Sequence, residues 1–359
     1  MQIKKKLNSL IKVYIYFFSY ILFTNIILFT PSAANSFIVS DLEISEPFEL
    51  NFNKEKVIDK GFKQAFNQLI SKITTSGDKK KIENTKLKTI KGLIDSFRMS
   101  NERFVSNNYY VNFDVNFNKK NTLDFMEKNN IFPSIPQEKK LLLLPILVDL
   151  QKDKIFLFNK NIFYNNWNEN IKKFHFLNYL LPNEDIEDIN LLLKNSKSIE
   201  DYNFKEIIKK YDINDFIITI IYKNKDNLRV LSKIQFHKDN KIYNTTFNNI
   251  NLSNREELFK VINNLKISYE NYWKSINRIN TSIKLPLTIS INSKEHQKIK
   301  KFENAWDNID LVSTYDVSKI NNQRIFYKII YNGSPNQFLN DLKIKDVIIM
   351  SQNQLWEIQ

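Results

Sequence analysis

At positions 141–150 the chain reads LLLLPILVDL, a run in which only Pro145 and Asp149 interrupt the aliphatic side chains. A β-strand points successive side chains to opposite faces, so an apolar run without alternation fits a strand covered on both sides. That requirement calls for helices above and below, which is an α/β layer. The surrounding sequence supplies them. PNEDIEDINLLL at 182–193 reads as a helix start with Asn183 as cap and Glu184, Asp185, Glu187 and Asp188 in the first turns, where the helix dipole favours acids. FKEIIKKYDINDFIITIIY reads as helix, short turn and buried strand, LRVLSKIQFH and KIYNTTFNNI as two further strands, and Leu258, Val261, Ile262, Leu265, Tyr269, Tyr272 and Trp273 as the apolar face of a long helix.

Before this layer the pattern differs. SFIVSDLEIS reads as a strand, Val57 to Ile73 recurs at helical spacing, Ser76 and Gly77 end that helix, and a second helix carries Leu87, Ile90, Leu93 and Ile94. In NNYYVNFDVNF, Val111, Phe113, Val115 and Phe117 alternate with Asn112, Asp114 and Asn116, the mark of a strand with one buried and one wet face. Thr122 is placed to cap a short closing helix, LDFMEKN. FPSIPQEKK at 132–140, with two prolines and a charge run, reads as a linker.

The last stretch reads LPLTISI as a strand, a helix capped by Ser293 and carrying Ile299, Phe302 and Trp306, the strands DLVSTYDV and RIFYKIIY, a Gly333–Ser334 turn into the helix PNQFLNDL, and VIIM as a final strand. The order β-α-β-β-α-β is that of the split βαβ, ferredoxin-like unit. The sequence therefore predicts an α+β and α/β multidomain chain: an N-terminal α+β domain at 35–131, a middle α/β domain at 140–281 and a C-terminal ferredoxin-like domain at 283–359.

Residues 1–34 stand apart. Lys4, Lys5, Lys6 and Lys12 precede an apolar stretch from Val13 to Phe29, and Pro31, Ser32, Ala33 and Ala34 follow. A positive end, an apolar middle and small residues at the end are the order of a signal peptide, with cleavage after Ala34. The alternative is an uncleaved anchor through 13–29, since a membrane span takes about 20 residues. Export, to the periplasm, is the expectation in either case.

The chain carries a net charge of +14, which invites a nucleic-acid reading. Arginine, the residue that forks onto phosphate and guanine, stands only at 98, 103, 229, 255, 278 and 324, and the lysines spread through every segment rather than forming a stripe. Nucleic acid is therefore not an expected partner; an anionic membrane surface or an acidic envelope polymer is a nonspecific one. With no cysteine, disulfides, thiolate catalysis and thiolate-bound zinc do not arise. His175, His237 and His296 share no metal-ligand spacing, and NEDIEDIN lacks the glycine and regular ligand pattern of a calcium loop, so no metal is expected. Four glycines exclude a glycine-rich phosphate cradle, and no cofactor is expected. Gly333–Ser334 resembles a nucleophile elbow only distantly and reads as a turn and cap. Glu102 with Arg103 reads as a structural pair or a ligand contact. Trp167, Trp273, Trp306 and Trp356 suit packing. Trp167, flanked by Asn166 and close to Tyr164, is the place where a binding pocket is expected.

With these residues in view, the chain resembles a secreted bacterial family of uncharacterised proteins, domain of unknown function 2066. The resemblance lies in FIVSDLEIS and the helix after it, and in LIDSFRMSNERFVSNNYYVNFDVNFN at 93–118, where Phe97, Glu102, Arg103 and Tyr110 are similar to the family's aromatic segment, acid–arginine pair and tyrosine-led strand. LLLLPI at 141–146, NNW at 165–167 and IIYNGSPNQFLNDL at 329–342 extend it across all three segments. Where relatives tend to have Ala or Arg, this chain carries Lys, Asn or Gly61. The resemblance implies an envelope-facing protein with no known activity and supplies no catalytic residues.

Two functions are compatible with these readings. The first is a non-enzymatic periplasmic protein that binds another envelope component in assembly or maintenance. The second is an envelope enzyme, a hydrolase whose carboxylates converge only in the fold; a protein that binds a small molecule between domains is a third.

Overall fold

The computed structural model describes residues 37–169, 175–237, 239–280, 283–307, 309, 311–352 and 355–358; the signal peptide or anchor expected at 1–34 lies outside them. The architecture is mixed α+β, with ten helices and three sheets among the described residues. Ser36–Gln359 form one compact unit.

The first sheet has the order β1-β3-β2, antiparallel throughout, from β1 (Ile38–Pro47), β2 (Ile94–Val105) and β3 (Asn108–Phe117). In β3, Tyr109, Val111, Phe113, Val115 and Phe117 are buried while the residues between them are only half-buried. The buried face is covered by α1 (Lys54–Ile73), whose Val57, Phe62, Ala65, Phe66, Leu69, Ile70 and Ile73 form its apolar stripe. Gly61 sits mid-helix for a steric reason: a Cβ there would lie 3.0 Å from the Phe113 ring, so the missing side chain lets the helix settle onto β3. Thr74 ends α1. Ser76 and Gly77, expected to end that helix, instead begin α2 (Ser76–Ile82) under a Thr75 cap, and α3 (Leu87–Leu93) follows. Ile94, expected in a helix, already belongs to β2. The closing helix α4 (Lys119–Lys128) is capped by Asn118, whose side chain accepts from Asn121 N at 2.9 Å; Thr122 lies inside it, buried.

The second sheet is mixed and six-stranded. β4 (Lys139–Asp149) runs parallel to β7 (Phe216–Asn224) on one side, and β8 (Asn227–Phe236) and β9 (Asp239–Phe247) continue antiparallel from there. On its other side β4 has two short neighbours, β6 (Leu177–Leu180) alongside 139–142 and β5 (Lys154–Phe156) alongside 147–149. Leu141, Leu143 and Leu147 enter one core with Phe163, Trp167 and the long helix α8 (Arg255–Ile276). Leu142, Leu144 and Ile146 enter another with residues of α6 (Ile186–Lys194) and α7 (Lys205–Lys209). Both faces of the apolar run are thus consumed.

Pro145 would weaken a central strand by its missing N–H. It falls in the gap between β6 and β5, where no ladder needs that donor, and its carbonyl accepts from the buried Asn161 Nδ2 at 3.0 Å. Asn161 also caps α5 (Ile162–Asn166), accepting from Phe163 N at 2.9 Å. In α6 the cap is Asp185, two residues after the expected Asn183, and it accepts from Glu187 N at 2.7 Å.

The third sheet, order β11-β12-β10-β14-β13, is built from β10 (Leu285–Asn292), β11 (Val312–Ile320), β12 (Arg324–Tyr331), β13 (Ile349–Gln352) and β14 (Leu355–Ile358), with α9 (His296–Asp307) and α10 (Pro335–Ile344). β10, α9, β11 and β12 follow the expected order. The end of the chain departs from it: β13 turns into β14, and β14 lies against β10 in parallel, leaving β13 at the edge. A single closing strand in a split βαβ unit would run antiparallel to β10; the added hairpin reverses the direction of the strand that meets it. Ser334 caps α10, accepting from Gln337 N at 3.3 Å, with Pro335 in its first turn.

The segment expected to be a linker is docked. Pro133 and Ser134 are buried, Ser134 N donates to Ile73 O, and Ser134 bridges Arg278 antiparallel. Ile135 N donates to Asn277 O and Ile279 N to Pro133 O, so the two connections between sheets run side by side and brace each other.

Candidate functional site

The residues singled out in the sequence fall in separate places. Trp167 is fully buried, stacked on Tyr269 at 6.2 Å between ring centroids and edge-on to Tyr179 at 5.8 Å. Tyr164, three residues earlier, turns to the opposite core, where its hydroxyl donates to Pro182 O at 2.8 Å. Asn166 donates back to Ile162 O within its own helix. Trp167 is therefore a core residue, and Tyr164 belongs to the core on the other face of the sheet. Glu102 and Arg103 separate in the same way, since neighbours in a strand face opposite sides. Glu102 accepts from Lys54 Nζ at 2.9 Å and from the Tyr109 hydroxyl at 2.6 Å, and these bonds hold its carboxyl below the usual range. Arg103 pairs with Glu43 and lies over the Tyr110 ring on the open face of the sheet. Trp273 and Trp306 are buried; the side chain of Trp356 lies outside the described residues.

A buried charge ladder went unread in the sequence. Lys266, Glu270 and Lys274 recur at i, i+4 and i+8 on one side of α8 and are all buried. Glu270 Oε1 accepts from the backbone N–H groups of Phe176 (2.9 Å) and Leu177 (2.8 Å); Lys274 Nζ donates to Ser71 O at 2.5 Å and Lys266 Nζ to Glu169 O at 3.3 Å. Burial lowers both lysines to about 8 and raises Glu270. Perturbed groups of this kind mark functional sites when they face a cleft. Here each reaches a backbone group of a different segment, and Lys274 ties the end of α1 to α8. The ladder is a joint.

A concave site lies elsewhere in the second sheet, on the face covered by α6 and α7. α7 is only one turn and a half long and leaves part of β8 uncovered, opening a pocket of about 560 Å³. It is lined by Lys233 and Gln235 of β8, by Tyr202, Phe204, Ile208 and Phe216, and by the polar Asp201, Asn203, Asp212 and Asn214. Tyr202 and Phe204 meet edge-to-face at 4.9 Å. The signal that could have found it is in β8 itself: on the face that carries the buried Leu231, the strand also carries Arg229, Lys233 and Gln235, so that face of an inner strand is only partly covered.

A third feature is an apolar tip on the first sheet. Phe48, Leu50, Phe104 and Val105 are exposed, Leu50 entirely, where the β1–α1 loop meets the β2–β3 turn. Phe48 packs on Phe104 at 4.8 Å and on Phe52 at 4.9 Å, and Phe104 lies 5.2 Å from Tyr109. Phe48 N donates to Asn107 O at 2.7 Å, so the turn and the loop hold each other in place. Exposed apolar side chains gathered on one braced loop and turn are the kind of feature through which a protein binds a partner.

No protein-family model matches the chain, and no curated protein matches it. Among the described residues no group of His, Asp and Glu is arranged to hold a metal ion, and no helix is long and apolar enough to cross a membrane.

Proposed function

We propose that the chain is an exported cell-envelope protein that acts by binding another envelope protein, in assembly or maintenance, rather than by catalysis. The observation that carries this reading is the apolar tip, which places two phenylalanines, Leu50 and Val105 in solvent on a braced turn. The order of residues 1–34 and the resemblance to a secreted family support export. A membrane surface suits the tip less well: Glu46, Glu49, Glu55 and Glu102 accompany Lys54, Lys56 and Lys60, so the cationic rim that an anionic bilayer attracts is missing. The C-terminal sheet fits a ferredoxin-like unit whose closing strand is replaced by the β13–β14 hairpin.

A carboxylate hydrolase needs two acids free to face a substrate. Asp185 and Asp188 do come together, but both accept from Lys210 Nζ, at 2.9 and 2.8 Å, and Asp185 caps α6; this is a clamp at a helix start.

The test is a photo-crosslinking residue at Leu50, with exposed Ile186 as control, in living cells that are then fractionated, with amino-terminal sequencing of the product. The expected result is a start at or beside Asn35 in the envelope fraction and a discrete adduct with an envelope protein from position 50 alone. Intact protein in the cytoplasm, or the same smear from both positions, would overturn the reading. Intact Met1 in the membrane fraction with the discrete adduct would retain the binding role and make 13–29 an anchor.

A further inference from the structure

The pocket beside α7 carries a second and independent inference. Lys233 lines the pocket from β8 and is half-buried, and its described contact is the Phe204 ring, 5.7 Å from the ammonium nitrogen. The charged neighbours are engaged elsewhere: Lys210 with Asp185 and Asp188, Arg229 with Glu200. Among the described residues neither Lys233 nor Lys205 nor Lys209, which also line the pocket, forms an ion pair. Lys233 is thus a half-buried cation on an aromatic face that forms no ion pair, although the carboxylates of Asp201 and Asp212 line the same pocket.

The rest of the lining narrows the ligand. Tyr202 and Phe216, both half-buried, offer aromatic surface, as a ring's C–H face requires, and the buried Phe204 backs Lys233. Asp201 and Asp212 accept hydrogen bonds and cannot donate them, and Asn203, Asn214 and Gln235 can do both, which suits hydroxyl groups. Part of Gln235 is already committed, since its Nε2 donates to the main-chain carbonyl of Asn214 at 3.3 Å, which holds the Gln235 amide in place. A volume of about 560 Å³ takes one or two hexose rings.

We propose that this pocket binds a sugar ring bearing an anionic group, carboxylate or phosphate, with Lys233 as the charge partner of that group and the half-buried Tyr202 as the stacking wall. The ring comes either from a free acidic monosaccharide or from a residue of an acidic polysaccharide, which share this chemistry.

The experiment is titration calorimetry on the chain from Asn35 onward with glucose, glucuronate, glucose 6-phosphate, galacturonate and tri-galacturonate. At least one anionic sugar is expected to bind and glucose to bind at least about tenfold more weakly, because a hydrogen bond to a charged group contributes about 1.5–3 kcal/mol. Lys233→Gln should lose on the order of tenfold in affinity for the anion, and Lys233→Arg, which keeps the charge, should retain most of it. Tri-galacturonate binding more tightly than galacturonate points to a polymer, and equal binding to a free sugar; both support the site. The inference is overturned if glucose binds as well as the anions, if no anionic sugar binds, or if Lys233→Gln, melting as the parent does, binds unchanged. Because these outcomes do not depend on compartment or on the tip, they leave the binding-partner reading to be judged separately.

Discussion

β3 and β4 are of similar length, both lie inside their sheets, and their sequences could hardly differ more. β3 alternates and has one face on α1 and the other in water, where Asp114 accepts from Arg98 and Asp41 N and Arg103 lies over Tyr110. β4 is apolar without a break from Leu141 to Leu144 and is covered on both faces. The difference shows that the apolar period of a strand reports how many layers cover it, and that the chain distributes its cores accordingly: one for the first sheet, two for the second.

Consecutive substitutions make the comparison sharp. In β4, Leu142→Ala and Leu143→Ala should each destabilise by about 2–5 kcal/mol, since each empties a different core. In β3, Phe113→Ala should cost about 3–5 kcal/mol while Asn112→Ala stays within about 0.5 kcal/mol. Denaturant unfolding measures all four; a neutral Leu142→Ala would mean that the α6–α7 face is not a packed core.

Asn161→Ala tests how β4 tolerates its proline. Removing the side chain leaves the Pro145 carbonyl and the α5 start without partners, and the expected loss is about 1–3 kcal/mol, against less than about 0.5 kcal/mol for the exposed Asn165→Ala. Equal effects would show that water replaces the buried amide.

The joint between the two sheets predicts a pH dependence. Lys266 and Lys274 titrate at about 8 in the fold and at their ordinary 10.5 when unfolded, so the unfolded chain binds more protons in between. Stability should therefore rise as pH increases from about 8 toward 10.5, and be lowest, as far as these groups contribute, below 8. Lys266→Met should flatten that rise by on the order of 1 kcal/mol, measured by unfolding at pH 7.5 and 9.5. An unchanged slope would place the amine in water.

The smallest effect concerns the turns. The backbone positions of positive φ among the described residues are held by residues other than glycine, mostly Asn and Asp, including Asn107 at 59° and Asn130 at 54°. Asn tolerates this region and Gly tolerates it better, so Asn130→Gly should stabilise by a few tenths of a kcal/mol, up to about 0.5, in thermal unfolding.

The long β2 shows where local reading stops. Asp95, Ser96, Phe97 and Arg98 have no period because an edge strand with little buried surface imposes none, and the sequence offered no strand there. Glu102 and Arg103 look like a pair in a line of text and are divided by the pleat. Trp167 looked like a pocket because it stands among asparagines, but those asparagines bond within their own turn or to nearby backbone while the indole turns inward. The pocket residues were legible one by one, as a wet alternation in β8 and an aromatic pair before α7, and not as a set, since Phe204 and Lys233 are brought together only by the sheet.

Sequence alone determined what periodicity and residue chemistry can express: an apolar run that needs two layers, an alternating strand that needs one, the helix along Val57–Ile73, and the lack of any cysteine chemistry. Tertiary structure decided everything that depends on which segments become neighbours. It put Gly61 against Phe113, Lys274 against Ser71, the two connections side by side, and β14 rather than β13 against β10. The physical reason is one of range. Periodicity records whether a side chain meets water or protein, whereas pairing depends on the loop entropy and packing of distant segments, which no local pattern encodes.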